Sequence, residues 1–177
     1  MLYAALLSSL ALAGSFDVTG SIGGAAPLGN LEFNHKSGIL GALALGLNTG
    51  PSRIELAGDW IHLSGSQQPD YALENLKATA SYHYAFINRV GWQLRAGAGV
   101  DLNHLYRLLP NARESGSALG GTLMLTYVRR FGRPLFQFQL FGSELLEFQR
   151  AAAGTTVTPA LLLGVKLGAG YEFAGPR

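Results

Sequence analysis

Cysteine is absent from the 177 residues. That excludes disulfides, thiolate metal ligands and cysteine nucleophiles. Charge is scarce too. Lys, Arg, Asp and Glu make up 14% of the chain, where an average soluble domain carries about 25%. Net charge is only +2, and no basic stripe runs along any segment, so nothing here suits a nucleic-acid surface. The third absence is a long apolar run. Hydrophobic residues reach 48%, yet the body of the chain holds no stretch of the ~20 apolar residues that a transmembrane helix needs. The apolar residues must therefore follow another pattern.

Residues 1–13 stand apart. Leu2 to Ala13 is almost continuously apolar and ends Ala11-Leu12-Ala13, a small-x-small cleavage pattern. This segment reads as a secretory signal or its remainder, with cleavage expected near Ala13. It departs from the usual pattern in having no Lys or Arg between Met1 and the apolar run.

From Gly14 onward the dominant period is two, the period of strands and not of helices. Eight segments alternate: Phe16–Gly24, Ser37–Leu47, Arg53–Leu63, Asn75–Phe86, Gly91–Leu105, Ser117–Val128, Leu135–Phe148 and Thr156–Phe173. The fourth is the clearest, with Leu76, Ala78, Ala80, Tyr82, Tyr84 and Phe86 against Lys77, Thr79, Ser81 and His83. The connections alternate as well. Tight ones span Asn48–Ser52, Ile87–Val90 and Arg129–Arg133, with turn chemistry such as Asn48-Thr49-Gly50-Pro51. Longer ones span Ala25–Lys36, Ser64–Glu74, Tyr106–Gly116 and Gln149–Thr155. Short turns at one end and longer loops at the other describe an up-and-down barrel.

Alternation alone does not say which face is outside, because a soluble lipocalin-type barrel alternates too. Two features favour the membrane. The polar face is Thr, Ser, Gln, Gly and Asn with few ions, whereas a soluble barrel covers its outside with charge. Aromatics collect beside the tight turns: Phe16, Tyr84, Phe86, Trp92, Tyr127, Phe131, Phe136, Tyr171 and Phe173. Trp60, Tyr71, Tyr106 and Phe148 form a sparser group at the loop ends. Such rings suit the headgroup level. A spanning sheet has no open edge, so the eighth segment must pair with the first. The expected fold is an all-β, eight-stranded antiparallel transmembrane barrel, one domain over residues 14–177.

The eight segments, the loop asymmetry and the terminal Gly170-Tyr171-Glu172-Phe173 resemble the small outer-membrane barrels of the OmpA/OmpX kind. The resemblance implies an integral protein of the bacterial outer membrane, and no cofactor is expected. It implies outer-membrane lipids, lipopolysaccharide-type glycolipid and the barrel-assembly machinery as partners, and a monomer. In such chains the terminal aromatic is usually the last residue; here Ala174-Gly175-Pro176-Arg177 follows Phe173.

The inward face is expected to hold Asp17, Glu55, Asp59, Lys77, His83, Arg95, Asp101, Lys166 and Glu172. An eight-stranded barrel is just wide enough for its own side chains, so these charges read as a paired, polar, filled lumen more readily than as a gated path. Two Ser–His combinations invite a nucleophile reading: His35 with Ser37, and Ser81 with His83. Two-residue spacing is also what any polar strand face produces. The four histidines are scattered and show no metal-ligand spacing. Loop residues such as Asn34, His35, Lys36, Gln67, Gln68, Asp70, Tyr71, Asn111, Arg113 and Glu114 could meet a surface partner. The leading expectation is a non-enzymatic barrel for membrane integrity or surface interaction. A small channel or transporter of ions or apolar molecules is the alternative, with a lipid-modifying enzyme behind it.

Overall fold

The computed structural model describes the backbone of residues 14–29, 35–65, 72–109, 112–151 and 154–174, with side chains over 14–29, 35–65, 72–106, 115–144 and 161–173. The proposed signal segment lies outside the described residues. Among them are eight strands: β1 Ser15–Leu28, β2 Gly38–Thr49, β3 Ser52–Ser64, β4 Ala72–Arg89, β5 Trp92–Leu109, β6 Ala112–Arg130, β7 Pro134–Ala151 and β8 Gly154–Ala174. Each pairs antiparallel with its neighbours in sequence, and β8 closes on β1. Phe16 stacks on Phe173 across that seam, ring centroids 4.7 Å apart.

Following paired residues once around, from Asp17 through Gly46, Glu55, Ser81, Gly99, Thr122, Ser143 and Leu162 to Pro27, returns to β1 ten residues further on. This stagger tilts the strands by about 40° to the barrel axis. It also brings residues from distant strands to one level of the lumen. The three tight connections each carry a glycine with positive φ: Gly50 at 60°, Gly91 at 79° and Gly132 at 76°. Side chains resist that conformation, and glycine does not.

The strands outrun the alternating segments. β5 and β6 continue to Leu109 and Ala112, and β7 and β8 to Ala151 and Gly154. The expected loops Tyr106–Gly116 and Gln149–Thr155 are thus mostly strand. Polar residues such as Arg107 and Glu114, opposite each other in the register, break the apolar alternation. Above a bilayer both faces of a hairpin meet water, so pairing persists where alternation stops.

The outside of the barrel is a belt of apolar side chains. Ile22, Val100 and Leu123 are 74%, 70% and 70% exposed. In water such a continuous belt is untenable. Inside it Asp17, Thr19, Glu55, Asp59, Lys77, Thr79, Arg95, Asp101, Thr122, Ser143 and Lys166 are buried. This excludes the lipocalin-type alternative, in which the two faces exchange.

Candidate functional site

Of the nine charges expected to face inward, eight are buried in the lumen and Glu172 is half-buried at its rim; with Arg53 and Arg130, which the alternation did not single out, they form two balanced clusters and one pair. At the tight-turn end, Arg53 reaches Asp17 and Glu55, each at 2.6 Å. Asn48 donates to Asp17 at 2.7 Å and accepts from Arg95 at 3.1 Å. Arg95 also donates twice to Gln93, at 2.9 and 2.6 Å. His83 lies 3.8 Å from Glu55 and 2.9 Å from Ser81. Two carboxylates thus face two guanidinium groups. Beside them, at the rim, Arg130 pairs with Glu172 at 2.6 Å, and Ser15 donates to Glu172.

Four residues further along β3 is the second cluster. Lys166 sits 2.8 Å from both oxygens of Asp59. Lys77 lies 3.3 Å from Asp59 and 3.8 Å from Asp101. Thr79, Thr122 and Ser143 donate to Asp101. The two ammonium groups stand 5.0 and 5.2 Å from the ring of Phe141, a cation–π arrangement. Here two lysines face two aspartates. Buried charge is tolerated only when paired and hydrogen-bonded, and both clusters meet that condition.

The expected polar lumen needs one correction: it is polar over part of its length only. Toward the loop end the inward residues are apolar, with Leu40, Ile61, Leu63, Leu73, Leu105 and Leu162 buried against one another. A hydrogen bond from Asn75 to Asn103, 2.8 Å long, marks the boundary. Here Ile61 and Leu63 alternate with His62 and Ser64, and Leu73 with Glu74, so the period of two persists with the apolar residues inward and the polar ones outward.

Glycine decides local fit. A side chain at Gly97 would run into the imidazole of His83, its cross-strand partner. Gly97→Val is therefore expected to displace the ring and break its bond to Ser81. A changed His83 side-chain resonance with the strand amide spectrum intact is the readout; an unmoved resonance refutes the packing argument.

The two Ser–His combinations fare differently from a nucleophile site. Ser81 and His83 are hydrogen-bonded but only 6% and 1% exposed inside the lumen. His35 is buried and bridges to Gly65, while Ser37 is exposed. An unforeseen pair lies elsewhere. His104 Nδ1 and Ser117 Oγ are 3.1 Å apart on the outer wall toward the loop end. They are cross-strand partners on β5 and β6, thirteen residues apart, so only the strand register could have revealed them. Next to them, His62 lies 3.7 Å from Glu74 and stacks near Trp60, and His104 meets Tyr106 edge-on.

Of the aromatics named from the sequence, Phe16, Trp60, Tyr84, Phe86, Tyr127, Phe131, Phe136, Tyr171 and Phe173 are exposed on the outer wall. Trp92 is half-buried against Tyr127. The side chain of Phe148 and all of Tyr71 lie outside the described residues. So do Asn34, Gln67, Gln68, Asp70 and Asn111, and the side chains of Arg113 and Glu114.

A closed antiparallel sheet with charges sealed inside and hydrocarbon outside is a transmembrane β-barrel. Its fold is that of the small integral barrels of bacterial outer membranes. Neisserial surface protein A superposes with a TM-score of 0.69 at 15% identity, covering 89% of this chain and 97% of that one. OprG from Pseudomonas aeruginosa gives 0.64 at 15% identity, covering 92% and 97%. Ail, the attachment invasion locus protein of Yersinia pestis, gives 0.61 at 10% identity, covering 90% and 99%. At these identities the likeness is one of fold. No protein-family model matches the sequence, and no curated protein does.

Proposed function

We propose that this chain is a non-enzymatic integral protein of the bacterial outer membrane, with a filled, non-conducting lumen, serving membrane integrity or surface interaction. The observation behind this reading is the charge balance of the lumen. Each of the nine inward charges has an ion-pair or hydrogen-bond partner, and an ion entering would have to break such a pair at a cost of several kcal/mol. The packed apolar side chains toward the loop end oppose hydrated ions as well. On this reading the partners are outer-membrane lipids and lipopolysaccharide-type glycolipid, with the barrel-assembly machinery acting during biogenesis and the finished protein monomeric.

Planar-bilayer recording of the detergent-purified protein tests the reading. The native protein is expected to be silent. Lys77→Ala and Arg95→Ala, which each leave partners unpaired, are expected to produce intermittent current if they fold. Steady conductance by the native protein would overturn the proposal. A second reading, passage of apolar molecules, draws on the apolar inner wall at the loop end. Its six large side chains are at most 9% exposed and fill that space themselves, which favours the filled lumen.

A further inference from the structure

The outer wall over β2 to β6 carries three successive rows of cross-strand partners with different chemistry. The first row is Leu43, Gly58, Ala78 and Leu102. The second is Gly41, Trp60, Leu76, His104 and Ser117. The third is Ile39, His62, Glu74, Tyr106 and Ser115. The rows therefore run from apolar through mixed to polar within four residues of strand, in the direction of the loop end. Over the small residues Gly41, Gly58 and Ala78 the wall is hollow. The hollow measures about 550 Å³, walled by Leu43, Trp60, Leu76 and Leu102, with His104 and Ser117 at one corner.

We infer that this trough seats one acyl chain of an outer-leaflet lipid, with the lipid's linkage and headgroup region hydrogen-bonded by His104, Ser117 and the His62–Glu74 pair. Three observations carry this. The trough lies in the apolar belt, so hydrocarbon is the medium that covers it. Longer connections mark the outer side of such barrels, which puts the polar rows at the outer headgroup level. The polarity gradient is oriented, so a chain laid in the trough brings its polar end to the imidazoles and hydroxyl, not to leucine. A second hollow of about 590 Å³ over Gly20 and Ala169, walled by Ile22, Phe136, Phe138 and Leu167, lies toward the tight turns. It has aromatic rings around it and no row of His, Glu and Ser, and so serves as the internal control.

The inference rests on the proposed lipid contacts of the wall and not on the silence of the lumen. Conductance would overturn the lumen reading without touching it. The test is photolabelling in vesicles of phosphatidylethanolamine containing a trace of the same lipid with a mid-chain diazirine. Labelling is expected to concentrate on peptides of β3 and β4 bearing Gly58, Trp60, Leu76 and Ala78. Gly58→Phe fills the trough; a Cβ at Gly58 meets nothing within 4 Å, so the barrel accommodates it. It is expected to cut that labelling roughly tenfold, the scale of one lost chain contact. Gly20→Phe, also unobstructed, is expected to leave it unchanged. His104→Phe with Ser117→Val is expected to keep the barrel folded and spread the label along the strands. Label spread evenly over the belt in the native protein, or unmoved by Gly58→Phe, would overturn the site. A cross-linked pair of chains joined through this face would also overturn it, since the trough would then seat protein.

Discussion

Asp59→Ala is expected to lower barrel stability by about 3–5 kcal/mol, the cost of leaving a buried charge unpaired. Asp59 holds the ammonium of Lys166 with both oxygens and that of Lys77 with one. Its loss leaves Asp101 alone against two lysines, and Asp101 is 3.8 Å from Lys77 and already saturated by three hydroxyls. The measurement is the urea midpoint of the folded band, which migrates separately from unfolded chain on an unheated detergent gel. Asp59→Leu combined with Lys166→Met is expected to recover most of the loss, because Lys77 keeps Asp101 and apolar replacements of a buried pair are close to neutral. A cost of Asp59→Ala under about 1 kcal/mol, the scale of an exposed ion pair, would mean that water reaches this cluster.

The second large effect reverses the ordinary rule for surface residues. Leu123 is 70% exposed, and in a soluble protein Arg at such a position is within about 0.5 kcal/mol of neutral. On the lipid face near mid-bilayer, Leu123→Arg is expected to cost about 2–4 kcal/mol. Val90, in the tight turn between β4 and β5 and fully exposed, provides the comparison: Val90→Arg is expected to change little. Equilibrium refolding into vesicles measures both. Equal, small effects would place Leu123 in water and undo the assignment of the outer wall.

Much of this architecture is legible in the residues. Lys77, Thr79, Ser81 and His83 alternate with Leu76, Ala78, Ala80 and Tyr82, and a period of two leaves few choices for their faces. What alternation does not encode is register. Asp59 and Lys166 are 107 residues apart, and nothing local pairs them; the ten-residue stagger does. The same holds for His104 and Ser117. Nor does a period of two say which set faces in. Ile61, Leu63 and Leu73 point inward between outward His62, Ser64 and Glu74, the reverse of the order lower on the same strands, and the period is the same either way. At the top of β5 and β6 the sequence sets Leu108 beside Leu109 and Arg113 beside Glu114, so the period of two is broken and the strands read as loop.

The separation in sequence between charge partners bears on how the barrel forms. Lys166 and Glu172 arrive with β8, long after Asp59 on β3 and Arg130 on β6, and until β8 is in place these two pairs are unmade. A partly zipped sheet in hydrocarbon thus carries both raw edges and uncancelled charge, while the closed one carries neither. The pairs made by Lys166 and Glu172 act as a latch: they reward the complete ring and oppose its reopening. A chain without cysteine has no covalent means of staying shut, and this latch takes that part.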